Sequence, residues 1–279
     1  MQSNDGAFAM DDRGFVFVNV PFGTTSPTNP ENPENEERED TVSLFDMFRW
    51  IRSEYPLQGR RRHVVEALSR YIESKTTSRC RFPLSLRLFE DDPQVESNGS
   101  LFSPFDANQY LVLAADGLSQ SGRLEALSMI GLNTEDPSVG IEIDSETPVH
   151  HRMKKYNTIL RAAAVIVAWA DEMKLTSIPT NPISAYSLLS RYATEFTFYK
   201  NGVPEVHNHT EALGREEAEG FSSQYHFEDG MRVGGVSEVA ILPTEYNLAA
   251  ATQALAKTVV ATIFPLALFV NPAFSNSIN

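Results

Sequence analysis

From Thr41 onward apolar side chains fall at three- and four-residue spacing, at Leu44, Phe45, Phe48 and Ile51 with Arg52 beside them, and Pro56 ends the run. That period predicts a helix with one buried stripe. A second helix is predicted over 61–73, with Val64, Val65, Leu68, Tyr71 and Ile72 on one face. Residues 90–100 read as a loop, and 107–131 as one or two further helices broken near Gly117 and Gly122. A brief strand is predicted at Ile141–Asp144. The clearest helix is 158–174, whose middle, Ala162 to Ala170, is apolar all round and so is expected to be buried on several sides. Pro179 and Pro182 precede a helix over 184–199 that Asn201-Gly202 stops. A surface helix over 211–221, an irregular Gly-rich stretch over 222–244, a last helix over 247–263 and an apolar tail from Pro265 complete the chain.

The first 40 residues have a different pattern. Phe15-Val16-Phe17-Val18-Asn19-Val20-Pro21-Phe22 is a short β-prone run. The Pro-, Asn- and Glu-rich residues that follow it cannot bury enough apolar surface to offset ordering entropy, so they read as a linker. The strand then covers either its own domain or a neighbouring copy. The expected fold is mainly α: a helical-bundle core over 41–224, an extended N-terminal arm over 1–40 and a C-terminal extension over 225–279. Phe15, Phe17, Val18 and Phe22 of the arm, with Phe269 and Phe274 of the extension, are the expected subunit contacts.

With 279 residues, 42% of them hydrophobic, the chain can bury a sizeable core. Cys80 is the only cysteine, which excludes an intrachain disulfide and suits a reducing compartment. The N-terminus carries no signal-peptide pattern, and the longest apolar run, about 13 residues ending at Val270, is shorter than the roughly 17 a membrane span needs. A soluble intracellular protein without a membrane partner is expected, and the two sequons at Asn98 and Asn208 are expected to stay unmodified.

The net charge of −14 argues against a polyanion as partner, until its distribution is considered. Between Arg49 and Arg87 ten cations face three acids, a local +7 that leaves −21 for the rest. Nine of the ten are arginine, which grips phosphate with a bidentate fork, and Trp50, Tyr55, Tyr71 and Phe82 are interleaved as a single-strand surface requires. Two readings stay open: Arg49, Arg52, Arg60, Arg61 and Arg62 contact RNA, or they form salt bridges with acidic segments such as 31–40. Docking an acidic protein partner through 49–87 is the alternative function.

No Gly-rich phosphate loop, nucleophile elbow, H-E-x-x-H or paired-cysteine motif occurs. His207-x-His209 is a weak metal pair. No enzyme activity, cofactor or metal is expected.

The segment Tyr186-Ser187-Leu188-Leu189-Ser190-Arg191-Tyr192-Ala193-Thr194-Glu195-Phe196 resembles the S-L-A-R-Y-A-F-D-F segment of potyvirus coat proteins, and more loosely the A-A-F-D-F of potexviruses. Pro148 before Arg161, and the run from Arg161 through Trp169 to Pro179, extend the likeness over 147–205. Glu195 stands where the family has Asp, Thr194 where it has an aromatic, and the family's downstream Q-M-K-A-A-A run is missing. The resemblance implies that Glu195 pairs with Arg161 beneath an RNA pocket, that Thr134 or Ser138 supplies a pocket hydroxyl, and that Arg191 meets phosphate. It also implies the function: a coat protein polymerising with other copies of itself into a flexible helical filament around single-stranded RNA, found in virions and host cytoplasm.

Overall fold

A computed structural model describes residues 8–10, 16–18, 33–77, 83–102, 105–115, 123–134, 140–152 and 154–270; the side chains of 8–10, 16–18, 33–40 and 262–270 lie outside that description. β1 (Phe8–Met10) and β2 (Val16–Val18) pair with each other as a small antiparallel sheet. Two helices follow, α1 (Pro33–Glu54) and α2 (Leu57–Thr77). A kink at Gln58-Gly59, where Gly59 takes φ +100°, starts the regular part of α2 at its arginine triplet.

The fold is not mainly α. Its centre is an 11-stranded mixed sheet, so the helical-bundle expectation is corrected to a mixed α/β architecture. The first strands are β3 (Leu84–Phe89), β4 (Val95–Ser97), β5 (Ser100–Leu101), β6 (Gln109–Ala115), β7 (Leu124–Asn133) and β8 (Ile141–Glu146). A 3-10 turn (Val149–His151) leads to α3 (Tyr156–Ala170), then β9 (Leu175–Ser177) and α4 (Pro182–Leu189). The chain closes with β10 (Thr194–Lys200), β11 (Val203–Asn208), α5 (Arg215–Ser223), β12 (His226–Glu228), β13 (Met231–Ile241) and α6 (Glu245–Val270). From one edge the order is β11-β10-β13-β9-β8-β7; beyond β7 the sheet branches to β4-β5 and to β6-β3, and β12 pairs with β13.

β6 and β7 occupy the stretch expected to be helical. Both are buried along almost their whole length, so both faces demand apolar residues and the alternation that marks a strand is erased. β10 lies in the second half of the expected helix over 184–199: α4 ends at Leu189, and Thr194–Lys200 alternates buried and half-buried residues at period two. β13 is an interior strand formed by residues placed at sequence level in the C-terminal extension. Its Gly-rich part serves close approach, since Gly235 takes φ +87° and a Cβ there would come within 2.6 Å of the Tyr225 ring.

α3 behaves as its composition requires. Parallel β8 and β9 flank it in a β-α-β unit. It packs on β6, β7 and β8 with one face and against α1, α2 and α6 with the other. Twelve of its fifteen residues are buried, Trp169 among them. Among the described residues no helix is long and apolar enough to cross a membrane.

Candidate anion-binding site

Three arginines of the basic segment are turned inward on the C-terminal end of α3. Arg60, 8% exposed, donates from Nη1 to the Ala170 carbonyl at 2.7 Å and to Glu172 at 3.1 Å, and from Nε and Nη2 to the Tyr55 carbonyl at 3.2 and 3.0 Å. Arg61 holds Asp171 Oδ2 with Nη2 at 2.6 Å and Nε at 2.8 Å, and Nη1 reaches Gln109. Arg52 lies over the Trp169 ring at 4.4 Å and 3.5 Å from Glu172. Cations at this place satisfy carbonyls that the helix leaves open and complement its dipole. Burial pushes the Asp171 carboxyl above the ordinary range, and Arg61 only partly offsets that.

Arg49 and Arg62 point outward and pair with Glu245 at 3.6 Å and Glu90 at 2.9 Å. Arg62, Arg70 and Arg87 line one groove together with Glu66, Glu73 and Glu90, three charges of each sign. That groove carries no net charge. Arg79, Arg81, Phe82 and Cys80 lie outside the described residues.

Arg161 and Arg191 are placed differently. Asn181 caps α4 by accepting the Ser184 N–H at 2.9 Å, with Pro182 in the first turn. The cap presents the Ser184 hydroxyl to α3, where it accepts from Arg161 Nη2 at 2.7 Å. After Leu189 the chain turns, its Arg191 and Tyr192 amides bonded back to the Leu188 carbonyl, and this turn brings Arg191 and the buried Tyr192 toward Arg161. Burial depresses the Arg161 pKa; Tyr192 opposes this and the neighbouring Arg191 adds to it. The Tyr192 hydroxyl makes no hydrogen bond of good geometry, although Arg191 beside it favours its ionised form; burial outweighs that and raises its pKa. Among the described residues, no carboxylate pairs with either guanidinium. Two partly buried like charges thus stand together beside the Ser184 and Tyr192 hydroxyls.

The pairing implied by the resemblance is not formed. Glu195 is the second residue of β10 and lies 4.0 Å from Lys174, while Arg161 bonds Ser184. Thr134 follows β7 at the end of the sheet where Arg61, Gln109 and Asp171 meet, about 15 Å along α3 from Arg161. Its amide donates to Asn108 and its buried hydroxyl has no hydrogen-bond partner among the described residues. Ser138, Phe15, Phe22 and Phe274 lie outside the described residues. Phe17 and Val18 are in β2, paired with Ala9 and Phe8, and Phe269 is in the last turns of α6.

His207 and His209 stack on Phe196, at 5.0 and 5.2 Å between ring centres, as part of an aromatic cluster with Phe221. A different histidine pair has the convergent geometry: His150 and His151 of the 3-10 turn, against Glu125 of β7 and Ser97 of β4. The adjacent histidines are visible in the sequence, but Glu125 is 25 residues away and only the sheet brings it near.

Comparison with protein families, with characterised proteins and with solved structures gives no match to this chain.

Proposed function

We propose that this chain is a non-enzymatic structural protein that binds the phosphates of single-stranded RNA without sequence preference and works in repeated copies. The observation that carries the reading is the Arg161–Arg191 pair, which among the described residues has no acid of its own. α3 strengthens it: no acid sits in the first turn, no side chain caps the N-terminus, and Lys154 and Lys155 lie exposed there. The positive end of the helix dipole and both lysines therefore lie together at the N-terminus of α3. The inward arginines 52, 60 and 61 take no part in this binding. The flexible helical filament implied by the resemblance belongs to a helical-bundle fold, which this chain does not have.

Fluorescence anisotropy with a labelled 20-nucleotide RNA tests the proposal. Wild type binds with an affinity that falls with salt, and Arg161→Gln with Arg191→Gln reduces the slope of log affinity against log salt by about 0.7 for each phosphate that the variant no longer neutralises. Arg62→Gln, on the electroneutral groove, leaves that slope unchanged. An unbound wild type, or a double variant that binds as wild type does while circular dichroism shows it folded, overturns the proposal.

A further inference from the structure

We infer that Glu125, His150 and His151 hold a divalent transition-metal ion of the zinc type. Glu125 Oε1 lies 3.7 Å from His151 Nε2 and 4.0 Å from His150 Nε2, and the three donor atoms fall within 4.8 Å of one another. In a tetrahedral site with metal–donor distances of about 2.0–2.1 Å, donors stand about 3.3 Å apart, so closure on an ion moves each side chain by less than about 1 Å.

A second and independent observation is His151 itself. It is only 7% exposed, and neither ring nitrogen has a hydrogen-bond partner among the described residues, yet Nε2 is aimed at Glu125. A buried imidazole without a partner forfeits its hydrogen bonds to water, and an ion gives Nε2 the partner it lacks. The carboxylate is oriented for the task, because the Asn98 amide donates to Glu125 Oε1 at 2.9 Å. Two imidazoles and one carboxylate are the donor set of zinc sites with an open fourth position. The Ser97 hydroxyl lies 3.2 Å from His150 Nε2 and is the neighbour that an ion on this nitrogen would displace. A serine–histidine–acid relay does not account for the cluster: the serine and the acid both face Nε2 of His150, whereas a relay needs the acid on Nδ1.

The ion would tie β7 to the 3-10 turn, next to β4. β4 meets β7 at only two positions, Val95 opposite Leu124 and Glu96 opposite Glu125, and the 3-10 turn is the last structure before α3. A bond from β7 to this turn fastens the branch of the sheet to the start of the central helix.

The experiment uses the full chain, stripped with chelator and titrated calorimetrically with Zn2+ alone, then with Mg2+. The expected result is one Zn2+ per chain, a higher melting temperature with Zn2+ than with Mg2+, and an absorption band of four-coordinate Co2+ in the visible. His150→Gln, at the exposed ligand, and Glu125→Gln each weaken Zn2+ binding at least about tenfold, while His207→Ala with His209→Ala does not. Absence of Zn2+ binding, unchanged affinity in both ligand variants, or loss of binding in the His207/His209 variant overturns the inference.

Discussion

At Asp171 the fold holds a carboxylate where burial costs more than its partner returns. Arg61 grips it at 2.6 Å, and still its pKa is raised. The raised value means the folded chain binds this proton more tightly than the unfolded one. Its contribution is therefore fully present below the ordinary carboxylate range and is lost as pH rises through the folded value. Asp171→Asn keeps an acceptor for Arg61 and removes the buried charge, so at neutral pH it costs less stability than removing the acceptor altogether. On acidification wild type gains relative to Asp171→Asn. Asp171→Ala removes the acceptor as well and costs about 3 kcal/mol. Urea denaturation at pH 7 and pH 4 separates the three chains; an Asn variant as unstable as the Ala variant shows that Arg61 requires the charge.

Among the elements, α6 depends on one side chain for its seat. Asn247 is fully buried, accepts the Ala193 amide at 2.6 Å, and donates to the carbonyls of Ala193 and Leu242 at 2.8 and 2.7 Å. These bonds join the start of α6 to the start of β10. Asn247→Ala leaves buried backbone groups unmatched, at about 1–3 kcal/mol for each group left without a partner. A loss of unfolding free energy below about 1 kcal/mol in urea denaturation contradicts that role. None of this pairing could be read from the sequence, because 54 residues separate the partners. Helices were legible wherever one face stays polar, as in α2 and in α1 from Thr41 on, or where an apolar core exceeds strand length, as in α3; residues 33–40, read as linker, are the first turns of α1. β6 and β7 were not, because burial on both faces removes the period that distinguishes strand from helix. β10 carried a readable alternation, Thr194-Glu195-Phe196-Thr197-Phe198, inside the stretch read as one helix stopped by Asn201-Gly202, and the likeness to coat proteins did not reveal it. The same likeness singled out Arg161 and Arg191, yet it assigned Arg161 an acid that β10 turns toward Lys174.

For the whole molecule, two of the sheet's edges, β3 and β11, differ in how they meet solvent. At β3 the Leu84 and Leu86 amides donate to the Thr76 and Ser69 hydroxyls of α2, so that edge is closed by its own helix. β11, last in the order at the other edge, is exposed at five of six positions, with Val206 71% exposed. If copies join, the open edge is where strand pairs with strand. Val206→Lys places a charge on that strand and abolishes self-association in sedimentation velocity, leaving circular dichroism unchanged. Salt then distinguishes the two binding events of the proposed function. Copies of net charge −14 repel, so added salt screens the repulsion and promotes their association. RNA held by guanidiniums releases counterions, so added salt weakens it. Sedimentation and RNA binding followed together from 50 to 400 mM salt, on the order of a Debye-length change of threefold, move in opposite directions if both events occur as described. If they move together, copies meet only through the RNA, and β11 is not an assembly edge.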